Sequence, residues 1–397
     1  MAKITNLELI ENEISNKYDL RLNKVNLKIE AKLKSESEYK PFNENNLWRE
    51  LQKEGYSISI NNLRIILQSE FVKEFNPFEH FFENQKQYNP SKEPDYINQL
   101  SEFITTDNSE RFKRHFKKMI VRSIACALVD NYCNKHCFVL VGGDKQNQGK
   151  STFWRWLFKS IFLNYYTEDF SFDKDGSIAL GQNFAINLDE LANIPKDDMK
   201  QIKGILSKDF INARLPYAAK AAQFPRRANF VATTNETEFL KDETGNVRWL
   251  CFNVLDINFD YDKKIDIKRV WAQAYYLFKN HFKYQLTHAE VLENEECNKQ
   301  FMVVSNEMEI VTKYFENGTK IDYDEFMTTT EMINELRRIG ESVSKSVNIF
   351  GKEIKKIGFK KVSLRDDKVK NYAEQGFFVK YKELYNEVKI KVNISTF

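Results

Sequence analysis

Apolar positions along the chain change period, and each change predicts a different kind of structure. Residues 1–40 alternate weakly and are rich in Lys, Glu and Asn, which predicts a short strand pair or an arm. Leu47, Trp48 and Leu51 ahead of Gly55 predict a helix that the glycine stops, and the run from Ile60 to Leu67 predicts a second. Pro77, Pro90 and Pro94 then punctuate a segment that reads as a linker. Phe112, Phe116, Met119 and Ile120 fall at i, i+4, i+7 and i+8, so Arg111 to Ser123 reads as an amphipathic helix. Its other face carries Lys113, Arg114, Lys117 and Lys118, a solvated face rather than a nucleic-acid contact.

From Phe138 to about Val254 strand-like and helix-like runs alternate, which predicts an α/β fold with a parallel sheet and crossover helices. Residues 265–315 read as helical. After them Thr328 and Glu331 offer a helix start before Met332, Ile333 and Leu336, and Val343, Val347, Phe350, Ile354 and Ile357 keep helical spacing. Two strand-like runs follow, Phe359 to Leu364 and Gly376 to Tyr381, joined by a charged turn. Helices followed by such a hairpin predict a winged-helix-like module. The expected division is a mainly helical region with linker at 1–110, a core at 111–260, a helical connector at 261–320 and the module at 321–397.

Composition changes this picture little. The 397 residues carry 60 Lys and Arg against 57 Asp and Glu, so overall charge does not announce a nucleic-acid partner. Between 343 and 370, however, nine basic residues face three acidic ones. Lys345, Lys352, Lys355 and Lys356 on that segment are candidate contacts to a DNA backbone, with a merely solvated basic face as the alternative. No long apolar run predicts a membrane span, the N-terminus has no apolar leader, and the five cysteines form an odd set, so a reducing cytoplasm is expected. Cys133, His136 and Cys137 lie close together without a second ligand pair and read as structural residues rather than a zinc site.

The chemistry concentrates in one stretch. The apolar run Cys137 to Val141 feeds a polar loop that ends in Gly149-Lys150-Ser151-Thr152, and an aromatic-rich helix follows at once. A buried strand, a loop and a helix N-terminus in this order suit a nucleotide phosphate, held by the backbone about Gly143, Gln148, Gly149 and Thr152. Lys150 would neutralise the β- and γ-phosphates of ATP, and the Ser151 hydroxyl would ligate Mg²⁺. The usual spacing asks for glycine at 144, where this chain has Asp144. Either the loop carries an extra residue or Asp144 takes the tight turn.

A second apolar run, Phe184 to Leu188, ends in Asp189 and Glu190. Asp189 would complete the magnesium shell beside Ser151, and Glu190 would accept a proton from the attacking water. A third run, Ala228 to Thr234, ends in Asn235, an amide able to orient water or sense the γ-phosphate. Arg248, just past the glycine turn at Gly245, could stabilise transition-state charge across a subunit boundary or serve as a structural cation.

The runs Ile211 to Lys220, Phe224-Pro-Arg-Arg227, Ala232 to Glu236 and Asp242 to Arg248 together resemble the virulence-associated protein E family. The likeness extends from about Asn76 to Phe252. It implies a P-loop ATPase of phages and mobile elements, related to superfamily 3 helicases within the AAA+ class. It implies a Walker A motif at Gly149, Lys150 and Ser151, a Walker B motif at Asp189 and Glu190, a sensor at Asn235 and an arginine finger at Arg248. Family members often have Arg-Arg after Thr-Gly-Asn; here Val247 leaves Arg248 alone. Arg214, Tyr217 and Lys220 fall where superfamily 3 helicases carry a DNA-tracking loop. The resulting expectation is an ATP-dependent DNA helicase working as a homo-oligomeric ring, a hexamer, with priming left to a separate primase and no membrane partner. The alternative is an ATP-switched DNA-binding initiator, or a defence ATPase, without unwinding activity.

Overall fold

The structure, a computed structural model, describes residues 5–143, 147–213, 222–240, 246–364 and 373–395. The chain divides into two compact units, Met1–Thr237 with Gly245–Phe301, and Glu238–Thr244 with Met302–Phe397.

The first unit is α/β. Its central sheet contains β1 (Ile104–Thr106), β2 (Cys137–Gly142), β3 (Tyr166–Thr167), β4 (Ala185–Leu188), β5 (Asn229–Thr234) and β6 (Trp249–Ile257), in the order β1-β6-β2-β5-β4-β3. The β6, β2, β5, β4 and β3 neighbours pair in parallel, and β1 closes one edge antiparallel to β6. Every residue of β2, β4 and β5 is buried, as expected for parallel strands covered on both faces. The strand–helix alternation legible from Phe138 onward is this sheet.

Four helices matter for the site: α1 (Ser109–Leu128), α2 (Lys150–Lys159), α3 (Ile267–Lys279) and α4 (His288–Asn298). Helix α2 buries Phe153, Trp154, Leu157 and Phe158, the i, i+1, i+4, i+5 stripe of a helix lying on a sheet. The Trp154 indole donates to Ala232 O at 3.2 Å, and the Trp271 indole of α3 donates to Leu157 O at 3.1 Å. Phe138 stacks on Phe252 across neighbouring strands with centroids 4.6 Å apart, and Trp154 meets Phe138 edge-on. Burial of each such ring is worth about 1.5–3 kcal/mol, so α2 and the loop before it rest on a stiff base.

Three local expectations need correction. First, residues 6–17 form a helix opened by a Thr5/Glu8 capping box and held by Ile10 and Ile14. The expected strand pair follows it as Tyr18–Asn23 and Ile29–Leu33. Second, the proline-rich segment is no linker. Asn76 caps a short helix with Pro77 in its first turn, and Phe78 and Phe82 enter the main core, where Phe78 packs edge-on to Phe162 and Phe184. Third, helix α1 is buried on most sides, and its basic face is engaged by carboxylates. Lys117 pairs with Asp95 at 2.6 Å, Lys118 with Glu290 at 2.7 Å, Lys113 with Glu102 at 3.2 Å, and Arg114 with Glu293.

In the second unit, strand Glu374–Tyr381 pairs antiparallel with Phe315–Asn317, Glu325–Met327 and Lys361–Leu364. Helices Asn306–Tyr314, Thr329–Arg338 and Val347–Lys356 pack over a core that includes Val311, Leu336, Phe350, Ile354 and Phe377. Thr328 and Glu331 form a capping box. No helix among the described residues is long and apolar enough to cross a membrane.

Candidate functional site

Parallel register brings the site together. Ala232 stands level with Leu188, and Thr234 with Val141, so β2, β4 and β5 end side by side. Gly142 is the last residue of β2, and Asp189 and Asn235 follow directly on β4 and β5. Asp189 and Asn235 border one cavity of about 340 Å³ together with Gln148, Gly149, Lys150, Ser151, Thr152, Glu190, Thr233 and Phe259.

Two glycines make the loop possible. Gly149 has φ +78°, and a Cβ there would lie 2.3 Å from the Phe259 ring, so only glycine fits. A Cβ on Gly142 would meet Lys150 Nζ at 2.2 Å and Gln148 Oε1 at 2.6 Å, so this glycine clears the space over which the lysine folds. Gly143 follows β2, whereas Asp144, the irregular position of the motif, lies outside the described residues. Helix α2 has no side-chain cap, which leaves the N–H groups of its first turn directed at the cavity.

Lys150 is buried, with its Nζ 2.7 Å from Asn235 Oδ1 and 3.4 Å from Gln148 Oε1. Burial pulls its pKa below the ordinary lysine value, and the Asp189 carboxylate opposes that pull. Asp189 Oδ1 accepts from Ser151 Oγ at 2.7 Å and from the Thr233 hydroxyl, and the two hydroxyls are 3.4 Å apart. Glu190 sits in the left-handed region at φ 50°, ψ 52°, a conformation that costs a non-glycine residue about 1–3 kcal/mol and concentrates at functional sites. Its carboxylate is exposed and accepts from Asn193 Nδ2 at 2.5 Å. Gln148 Nε2 donates to Val254 O at 3.2 Å and ties the loop to β6. Sequence reasoning missed Thr233 and Phe259. The hydroxyl in Thr-Thr-Asn was the signal for Thr233, and nothing local marked Phe259.

Arg248 stands elsewhere. Trp249 pairs with Cys137, so Arg248 precedes β6 at the end of the sheet where β2 begins, while the cavity lies where β2 ends. The length of β2 separates them by roughly 17 Å, beyond the reach of an arginine side chain. Its guanidinium donates to Ser207 Oγ at 3.0 and 3.2 Å. Helix α4 fixes the surrounding backbone. Asn294 Nδ2 donates to Trp249 O at 3.0 Å and Val247 O at 3.4 Å, and Asn298 Nδ2 donates to Asn246 O and Trp249 O, both at 2.8 Å. Arg111, stacked over Phe252, donates to Asn294 Oδ1 at 2.6 Å and Cys251 O at 2.9 Å. The i, i+4 spacing of the two asparagines on a polar helix was readable, but nothing in the sequence says that they face Arg248.

The remaining candidates divide. Arg214, Tyr217 and Lys220 lie outside the described residues, between the antiparallel strands Phe210–Ala213 and Ala222–Pro225. Arg226 and Arg227 are buried braces: Arg226 donates to the carbonyls of Lys208, Ala228 and Asn134, and Arg227 to Ala127 O and Asp130. In the second unit Lys345 is held between Glu307 at 3.0 Å and Glu353 at 2.8 Å, so its charge is already neutralised. Lys352 and Lys355 are exposed, and the Lys356 side chain lies outside the described set.

The profile of the virulence-associated protein E-like domain matches residues 85–303, more than half of the chain. No curated protein matches it. Among solved structures, the apo structure of the NrS-1 C terminal region (305–718) covers 95% of this chain and 100% of that one, at 11% identity and a TM-score of 0.49. An A form apo structure of the same region covers 78% and 75%, at 13% identity and a TM-score of 0.43. At such values the likeness carries no residue-level argument.

Proposed function

The chain belongs to the virulence-associated protein E-like domain family, and on that premise we propose that it is an ATP-hydrolysing DNA helicase for the replication of a phage or mobile element. Its first unit would be an AAA+ motor core, its second a winged-helix-like DNA-binding module, and its working form a ring, a hexamer.

The chemistry of the cavity suits the cofactor. An uncapped helix start and a buried ammonium favour a polyphosphate, and a hydroxyl beside a carboxylate supplies the hard oxygen donors that Mg²⁺ takes. Magnesium bound there would neutralise developing phosphate charge. Ser151 and Asp189 would hold it, with Thr233 orienting the Asp189 carboxylate. Lys150 would leave Asn235 for the phosphates, freeing the Asn235 amide to orient water. Glu190, exposed at the rim, would take the proton of that water.

The observation that carries the reading is the position of Arg248. Lys150, Ser151, Asp189, Glu190 and Asn235 border one cavity, and the cation that would complete a phosphoryl-transfer centre there stands at the opposite end of the sheet. Each site would therefore be completed by Arg248 of a neighbouring copy, in which the finger is worth on the order of 10³-fold or more in rate. Arg248→Ala should lose hydrolysis as a homo-oligomer and recover part of it when mixed with Lys150→Ala subunits. Mixtures no more active than either parent would overturn the shared site. Strand displacement on a forked duplex separates a helicase from an ATP-switched initiator, which would bind the duplex without opening it.

A further inference from the structure

Among the described residues of the first unit four arginines are buried: Arg111, Arg122, Arg226 and Arg227. Arg111, Arg226 and Arg227 each make at least two close hydrogen bonds. Arg122 does not. It is 1% exposed, and among the described residues its only hydrogen bond is a long one to Tyr284 O at 3.4 Å, with Nε and Nη2 unpartnered. No carboxylate pairs with it among the described residues. A guanidinium cannot shed its proton, so a buried and unpaired one costs several kcal/mol unless an anion reaches it.

Arg122 borders a cavity of about 320 Å³ at the end of the sheet where β2 begins. Tyr132, Lys135, His136, Asp209 and Gln285 form the polar part of its wall with Asn131, and Leu286 and Val291 line the rest beside Cys133. Lys135 is exposed at the rim, and the buried His136 Nδ1 has no partner. Asp209, the single carboxylate of the wall, is exposed and accepts from Cys133 Sγ at 3.0 Å. Arg248 stands nearby, since His136 and Arg248 immediately precede the paired residues Cys137 and Trp249. One buried forked cation with the exposed Lys135 ammonium beside it, and the half-buried Arg248 nearby, suits a phosphate group, whose oxygens can take the fork and still meet a rim ammonium.

We propose that this cavity is a second phosphate-binding site, with Arg122 as its floor and Lys135 at its mouth. It lies at the opposite end of β2 from the Lys150 cavity and does not rest on the nucleotide reading of that cavity. The phosphate belongs either to a nucleotide or to a nucleic-acid backbone, which present the same oxygens.

The test uses the full chain carrying Lys150→Ala, so that the first cavity is disabled. Inorganic phosphate is titrated against sodium chloride at matched ionic strength, and binding is read by calorimetry and by the thermal midpoint. Phosphate should raise the midpoint saturably. Adding Arg122→Met should weaken phosphate at least tenfold while leaving the phosphate-free protein as stable as before or more so, because an unpaired buried charge has gone. Lys135→Ala, a surface change with no effect on folding, should weaken phosphate severalfold. Phosphate acting no differently from chloride, equal titrations with and without Arg122, or lower stability of Arg122→Met without phosphate would each overturn the proposal. Two arms then separate the sources. For a nucleic-acid phosphate, the salt slope for a dT20 oligonucleotide drops by about 0.7 in Arg122→Met. For a nucleotide phosphate, that slope is unchanged and ATP binds the Lys150→Ala, Arg122→Met protein more weakly than Lys150→Ala alone.

Discussion

Lys150 Nζ donates to Asn235 Oδ1 at 2.7 Å, a bond that joins the start of α2 to the end of β5 across the mouth of the cavity. The two groups assigned to the nucleotide hold each other, and a phosphate taken by the lysine would release the amide.

Lys150→Ala should therefore abolish ATP binding in this cavity and hydrolysis with it, whereas Glu190→Gln should bind normally and hydrolyse about 10²- to 10⁴-fold more slowly, the usual range for loss of a general base. Nucleotide titration alongside phosphate release distinguishes the two. Unimpaired hydrolysis in either variant would sink the assignment.

Thr233→Val preserves the β-branched shape on β5 but removes a hydroxyl from Asp189 Oδ1. Loss of such an outer partner typically costs 10- to 100-fold in metal affinity or activity. The Mg²⁺ concentration for half-maximal hydrolysis should rise accordingly with the thermal midpoint nearly unchanged. An unchanged Mg²⁺ requirement would show that the threonine does not orient the carboxylate.

Asn298→Ala takes the donor from the Asn246 carbonyl and one of two amide donors from the Trp249 carbonyl, at about 1–3 kcal/mol. ATP affinity should stay at the wild-type level while turnover falls, because the change touches the Arg248 loop and leaves the cavity alone. Turnover should return in mixtures with Lys150→Ala subunits, which carry an intact loop. A variant with full turnover would separate Asn298 from Arg248.

The Lys118–Glu290 pair makes stability depend on pH. Burial raises the Glu290 pKa, but the Lys118 ammonium and the Thr287 backbone and hydroxyl outweigh it, leaving a value of about 2. A depressed carboxylate pKa contributes stability that is fully present above the unfolded-state value near 4.5 and lost as pH falls toward 2. Glu290→Gln should cost about 2–4 kcal/mol at pH 7, since it strands a buried ammonium, and the gap to wild type should narrow as pH drops from about 4.5 to 2. Urea unfolding at pH 7 and pH 3 measures it. A gap independent of pH would rule out the ion pair as its source.

What the sequence makes legible is what local pattern encodes. The apolar runs that end at Val141, Leu188 and Thr234 announce buried strands, and the polar residues after them announce where those strands open to solvent. Long-range partnership is not encoded in that way. Lys118 and Lys117 read as a solvated face because their carboxylates, Glu290 and Asp95, come from elsewhere in the chain. The prolines from Pro77 to Pro94 read as a linker because proline punctuates both linkers and helix starts, and only tertiary burial of Phe78 and Phe82 decides between them. Helix Asn6–Lys17 was hidden by its polarity, with Ile10 and Ile14 as its only buried side chains.

Strand β6 touches both ends of the arrangement. It begins directly after Arg248, Gln148 of the phosphate loop is bonded to its Val254 carbonyl, and Phe259 just past its end lies against Gly149. A strand hydrogen-bonded on both sides is stiff along its axis, so it would act as a push-rod between loop and arginine. If copies do form the proposed ring, a shift of the loop as one pocket fills would be delivered lengthwise to Arg248 at the next pocket, and successive subunits would have a mechanical reason to fire in order.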